Sequence, residues 1–247
     1  IFYCTILPLF ILYCLIKKPM KTLVIIPSRL SATRLPGKPL LKINGTSMIS
    51  HVFKKAEEAN IGEVVVATED QEIVDDVKKN GGQVILTKKQ HKTGTDRIYE
   101  ALQKFNNTDI DLIMNLQGDE PLMNIEDIRG LNNQMIKNQS ELGTLASEIK
   151  DKTIYENQNI VKAITTEKLD NFNFPEAMNF VRKDLKDIKN IYHHLGIYCY
   201  QKETLKNFVS FNQSKNELKS KLEQLRALDN NIKINVALSK SSPIGVD

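Results

Sequence analysis

Three cations and one carboxylate are the residues whose spacing most directly suggests chemistry. Arg29, Arg34 and Lys38 fall within ten residues, in the segment SRLSATRLPGKP at residues 28–39. Guanidinium forks match phosphate oxygens, and an ammonium adds a compact positive charge. Gly37 removes a side chain where a ligand approaches the backbone, and Pro36 and Pro39 stiffen the segment around it. The loop suits the phosphates of a nucleotide, and its spacing fits a solvated basic surface loop equally well. It has neither the G-x-x-x-x-G-K-[ST] nor the G-x-G-x-x-G pattern, which argues against a P-loop and a dinucleotide fingerprint. The matching carboxylate is Asp119, in NLQGDEPL at residues 115–122, just past an apolar run. A carboxylate opposite a phosphate loop suggests Mg²⁺ shared between carboxylate and phosphate oxygens. Gly-Asp ahead of Pro is also good turn chemistry.

These residues need a frame. Residues 22–27, 63–67, 83–87 and 110–116 read as short buried strands. Residues 48–60, 70–80 and 95–105 read as helices between them, the second stopped by Gly81-Gly82. A short strand is expected near residues 40–43, with a turn at Asn44-Gly45. This alternation predicts an α/β fold, Rossmann-like, with a mixed, mostly parallel sheet. Ligands of such sheets sit at the carboxyl ends of the strands, where the two polar loops fall. Further on, residues 143–149, 160–165, 178–181, 194–200 and 232–238 read as strands. Residues 202–210 and 214–228 read as helices. One domain over residues 20–247, with an inserted substrate or dimer region, fits this pattern better than two independent domains.

The composition is that of a globular enzyme, with 41% hydrophobic and 26% charged residues among 247. The net charge is +4, and +2 without Lys17 and Lys18, with the basic residues scattered; nucleic acid is not indicated. Residues 1–16 are apolar except for Thr5 and Pro8. As a helix they would rise roughly 24 Å, short of a hydrocarbon core of about 30 Å. Cations follow this run rather than precede it, and no A-x-A-like cleavage site appears. Met20 is the expected start, with residues 1–19 an upstream extension and a membrane tether as the alternative. Beyond that segment Cys199 is the sole cysteine, which allows no internal disulfide and suits a reducing cytoplasm.

The segment IIPSRLSATRLPGKPLLKINGTSMI resembles the N-terminal signature of the 3-deoxy-manno-octulosonate (KDO) cytidylyltransferases. TGTDRIYEA at residues 93–101 and NLQGDEP at residues 115–121 resemble two further family motifs, in the same order. The resemblance implies the nucleotide-diphospho-sugar transferase fold. It also implies a reaction: CTP and KDO give CMP-KDO and pyrophosphate, for lipopolysaccharide. It makes Lys38, Arg29 and Asp119 catalytic and assigns Asp119 and Asp247 to Mg²⁺. Arg29, Arg34, Lys38, Thr68, Thr93, Gly94 and Thr95 would hold the nucleotide. The base would be read near residues 67–70 and 93–97. There Glu69 replaces the family's usual aspartate, and Thr93 its usual serine.

On the sugar-acid side the resemblance assigns Gln117, Arg182, His194, Glu223 and Gln224. Arg182 follows Val181 where the family has a serine. His194 stands in YHHLGIYCY, and Glu223 and Gln224 stand in LEQLRAL. From the residues alone, His194 reads as a strand histidine and Glu223 and Gln224 as a solvated helix face. The resemblance also implies a homodimer formed through the second-half region. In the family a helix follows Gly-Val-Asp, so a chain ending at Asp247 is expected to be C-terminally incomplete. Two rivals remain open. One is the same reaction on another sugar acid, an acylneuraminate or amino-KDO. The other is a non-catalytic nucleotide-binding protein.

Overall fold

The computed structural model describes residues 19–31, 35–88, 91–183 and 188–241. Residues 1–18, Arg34 and Asp247 lie outside these. The central strand is β1 (Thr22–Ser28), in which Leu23, Val24, Ile25 and Ile26 have no solvent exposure. A strand apolar on both faces must be covered on both. It pairs in parallel with β4 (Gly62–Thr68) on one side and β6 (Leu112–Asn115) on the other. β5 (Val84–Leu86) extends the sheet beyond β4. At Gly62 a Cβ would come within 1.8 Å of the Thr22 carbonyl, so only glycine allows this strand start. The hairpin β2 (Lys42–Ile43) and β3 (Thr46–Ser47) forms a separate two-stranded sheet.

The other half of the sheet is mixed. β10 (Ile191–Gln201) runs antiparallel to β6 and to β7 (Leu142–Ser147), and β11 (Ile234–Leu238) runs parallel to β7. β8 (Lys162–Thr165) pairs with the early part of β10, and β9 (Ala177–Val181) pairs with β8. The strand order is β11-β7-β10-β6-β1-β4-β5, with β8 and β9 branching from β10. The architecture is therefore the expected mixed, mostly parallel α/β sheet, with the branch supplied by the second half of the chain.

Helices cover both faces. On one side α1 (Met48–Ala59), α2 (Gln71–Lys79) and α4 (Ile125–Asn138) contribute Ile49, Phe53, Ile73, Val77, Leu131 and Met135 to the core. On the other, α3 (Gly94–Lys104) and α6 (Lys202–Ser210) contribute Ile98, Ala101, Leu205 and Phe208. A short helix, α5 (Lys152–Glu156), lies between β7 and β8. Helix α4 was not anticipated, although Asn124 caps it and Ile128, Leu131 and Met135 repeat at helical spacing.

Residues 214–228 form two short helices rather than one: α7 (Lys215–Ser220) and α8 (Leu225–Asp229). Lys221 adopts φ 53° and the Leu222 amide bonds back to the Glu217 carbonyl, which ends α7. A buried ion pair then folds α8 back. Arg226 Nε and Nη2 donate to the two Glu217 oxygens at 2.9 and 2.6 Å, and the guanidinium lies over the Phe208 ring at 4.7 Å. Removing one partner leaves an uncompensated buried charge. Glu217→Ala is expected to cost about 3–5 kcal/mol in urea denaturation. A loss below about 1 kcal/mol, the range of exposed pairs, would contradict this role.

Candidate active site

Three carboxyl-end segments of the sheet meet at one place. The loop after β1 leaves with Arg29 and closes on itself where the Gly37 amide donates to the Leu30 carbonyl at 3.0 Å. Gly37 sits at φ 73°, a left-handed conformation that disfavours side chains. A short 3-10 turn, Lys38–Leu40, follows at once. The loop after β6 brings Gln117, Gly118 and Asp119. The start of α3 brings Thr93 and Gly94. Together they enclose a cavity of about 350 Å³ that Ser28, Arg29, Lys38, Gln117, Asp119 and Arg97 also line.

Lys38 and Asp119 face each other there, with Nζ–Oδ2 at 3.1 Å. The Lys38 side chain is 9% exposed and that of Asp119 is 52% exposed. The ammonium is therefore held by protein, while the carboxylate keeps a free face. Next to it, burial and then the Asp119 carboxylate push the Glu120 carboxyl up to about 7, with Lys38 opposing. Glu120 Oε2 is buried without a hydrogen-bond partner among the described residues. Among the described residues no group of three or more His, Cys, Asp or Glu side chains forms a metal cluster.

A cavity lined by cations and one open carboxylate suits a phosphate-bearing ligand. The sequence itself matches the family model described as "Cytidylyltransferase" over residues 23–234. A 3-deoxy-manno-octulosonate cytidylyltransferase of Rhodopseudomonas palustris is 42% identical over 228 residues, covering 92% of each chain. This chain belongs to the 3-deoxy-manno-octulosonate cytidylyltransferases. A solved CMP:2-keto-3-deoxy-manno-octonic acid synthetase, in complex with CTP, superposes with TM-score 0.83. Its identity is 33%, and 92% of this chain and 93% of that one are covered. A UDP-glucose pyrophosphorylase complexed with UDP-glucose shares the fold alone, at TM-score 0.66 and 15% identity, covering 90% and 92%.

Within this cytidylyltransferase, the residues singled out in the sequence separate into four groups. Arg29, Lys38, Thr93, Gly94, Gln117 and Asp119 line the cavity. Gln117 Nε2 donates to Asn115 Oδ1 at 3.1 Å and to the Gly196 carbonyl at 3.2 Å, which ties the loop to β10. Thr68, Thr95 and Gln224 are buried behind the lining. Glu223 lies beside the Thr93 and Thr95 hydroxyls, which partly offset the upward push of burial on its carboxyl. Its Oε1 has no hydrogen-bond partner among the described residues. Arg34 and Asp247 fall outside the described residues.

Arg182 stands just past the end of β9, and His194 stands on β10. Arg182 Nη1 donates to the Asn159 carbonyl at 2.7 Å. His194 is buried, with Nε2 at 3.0 Å from the Thr144 hydroxyl, which in turn donates to the Ile197 carbonyl at 2.6 Å. That arrangement makes the imidazole Nε2–H the donor. Thr93 also starts α3 with a capping box, exchanging hydrogen bonds with Asp96.

Two cations went unassigned in the sequence. Arg97 lines the cavity and is fixed by Glu69 at 2.5 Å and by the Thr87 hydroxyl at 2.6 Å. Glu69, longer by a methylene than the family's usual aspartate, is the residue that reaches it. The available signal was position, since Arg97 stands four residues after Thr93 in TGTDR. Lys162 is fully buried and donates to the Asn157 and Arg182 carbonyls. Burial, then Arg182, lowers its pKa. Its β8 position pairs with His193 of β10, whose pKa is lowered by burial and then by Lys162. No sequence periodicity marks a lysine that is buried through pairings with distant strands.

Burial, followed by the charge of His193, holds the His194 imidazole down to about 3. An unfolded imidazole titrates near 6.5. Between those values the unfolded chain carries the extra proton, so stability falls as pH drops below about 6.5. From pH 7 to 5 this group is expected to cost about 2 kcal/mol. His194→Gln should therefore lose less stability than the unsubstituted protein over that interval in urea denaturation. Equal losses would contradict a buried neutral His194.

Proposed function

We propose that this cavity binds CTP and a sugar acid and joins them, with KDO as the acid. The family's reaction is CTP plus KDO giving CMP-KDO and pyrophosphate. The observation that carries the reading is the Lys38–Asp119 pair at 3.1 Å, with Arg29 beside it in one cavity. The sugar hydroxyl oxygen bonds to the α-phosphorus, and the bond to the bridging β-phosphate oxygen breaks. The hydroxyl proton passes to solvent, and pyrophosphate leaves. Lys38 and Arg29 hold the phosphate oxygens and offset the charge that gathers on the departing pyrophosphate. Thr93 and Gly94, at the start of α3, hold the nucleotide, and the buried Thr68 and Thr95 support its base pocket. Gln117 orients the acid from its anchor on Gly196.

The open carboxylate of Asp119 and the orphaned oxygen of Glu120 beside it fit a hard cation such as Mg²⁺. When bound, Mg²⁺ polarises the α-phosphoryl group and lowers the pKa of the attacking hydroxyl. Asp119 is the side chain that would hold it. The Lys162 and Arg182 side chains place positive charge at the junction of β8, β9 and β10, beside the His193 imidazole. That charge suits the carboxylate of a sugar acid. His194 and Gln224 support the same side from buried positions, and Glu223 from a half-buried one.

The second-half branch exposes Phe172 and Met178, which supports a homodimer through that region. Sedimentation at the mass of one chain would count against it. Among the described residues no helix is long and apolar enough to cross a membrane. With the buried free thiol of Cys199, that supports a cytoplasmic setting.

The test is pyrophosphate release from CTP with a panel of sugar acids. KDO should be the best substrate, and preference for an acylneuraminate or amino-KDO would reassign the acid. Asp119→Ala should lower Mg²⁺-dependent turnover by on the order of a hundredfold or more. An unchanged rate would sink its assignment to the metal.

A further inference from the structure

The basic loop has a neck, and one residue outside the loop holds it. Asp70 stands at the N-cap position of α2, where aspartate normally accepts a hydrogen bond from the first turn. Its side chain makes no such cap bond. Its Oδ2 instead accepts the backbone N–H of Leu30 at 2.7 Å, across forty residues of sequence. The Asp70 amide is itself fixed by Thr68 Oγ at 3.1 Å. Thr68 is fully buried and lies in register with Ser28, the last residue of β1.

The other peptide group of Leu30 is engaged as well, since its carbonyl accepts the Gly37 amide at 3.0 Å. Leu30 is thus pinned on both sides. Arg29 precedes this pinch and Lys38 follows it directly, and both side chains line one cavity. A hydrogen bond to an ionised acceptor is about twice as strong as a neutral one. It suits a point where a loop rich in like charges must be held together.

We propose that Asp70 is a positioning residue of the phosphate cradle, holding the neck of the basic loop through the Leu30 amide so that Arg29 and Lys38 face one cavity. The inference rests on the reading of that cavity as the CTP site. Asp70 acts through the loop and need not touch the nucleotide. Its loss should therefore be felt by the β- and γ-phosphates more than by the base, ribose and α-phosphate.

The test uses Asp70→Ser and Asp70→Asn in the full chain. Serine suits the N-cap position of α2 but is too short to hold Leu30, and asparagine keeps an oxygen that accepts the amide. Calorimetry with CTP and with CMP, steady-state rates and thermal melting are read together. Asp70→Ser is expected to weaken CTP about tenfold and raise its KM alike, with CMP affinity within about twofold. At saturating CTP, kcat should fall as well, because Arg29 and Lys38 also offset the charge on the departing pyrophosphate, while the KM for the sugar acid should stay near that of the unsubstituted enzyme. Asp70→Asn should restore CTP affinity to within about threefold. Parallel weakening of CTP and CMP, unchanged CTP affinity, or an asparagine variant as weak as serine would overturn the proposal. If Asp70→Ser does not fold, Asp70→Asn decides alone: CTP affinity lost while CMP binding and melting persist overturns it, and retained affinity supports it. An unsubstituted chain that binds neither nucleotide would overturn the CTP reading and this proposal with it. A chain that binds CTP equally well with and without Asp70 overturns only this proposal.

Discussion

A lysine ammonium and an aspartate carboxylate held 3.1 Å apart are the interaction around which this molecule is arranged. Lys38 is buried, and a buried ammonium is costly unless it is paired. Asp119 supplies the pairing while half of its side chain stays in solvent. That asymmetry leaves positive charge fixed by the protein and a carboxylate free for a further ligand. The two residues lie eighty-one positions apart, so their meeting depends on β1 and β6 being parallel neighbours. Those strands stay neighbours because their centres, Leu23–Ile26 and Leu112–Met114, are apolar and buried on both faces.

The antiparallel strand β10 turns that parallel edge into a two-sided site. Its later half pairs with β6 and its first residues pair with β8, leaving residues 194–197 between the two partners. Gln117 bonds into this gap at Gly196. The nucleotide side is therefore built from β1, β6 and the start of α3. The acid side is built from the β8–β10 branch, and Gln117 stands at the seam. The same seam explains why His194 is neutral and buried. It faces Thr144 of β7 in the interior of the sheet, with the Phe180 ring 5.0 Å away.

What was legible in the sequence follows from how local each cause is. The strands over residues 22–27 and 63–67 announced themselves as short apolar runs of β-branched character. The phosphate loop announced itself as three cations around Gly37. The branch at β8 and β9 was readable only as short apolar runs. Two side-chain pairings were silent. Glu217 with Arg226 splits a stretch that reads as one helix, because the pull of a buried ion pair has no sequence period. Arg97 with Glu69 joins an ordinary-looking helix arginine to a residue that reads only as a departure from a motif. Lys162 was missed because lysine is the residue least expected in full burial. Glu223 and Gln224 would have passed for a solvated face; tertiary packing behind Thr93 and Thr95 buries Gln224 and half-buries Glu223 instead.

The central claim is that Lys38 and Asp119 act on one ligand as a unit. The most direct measurement is a double-mutant cycle of Lys38→Met and Asp119→Asn, read as kcat/KM for CTP in pyrophosphate release. The account predicts strong non-additivity, with the double variant about tenfold or more better than the product of the single losses. Simple additivity, each residue contributing as though the other were absent, would contradict it.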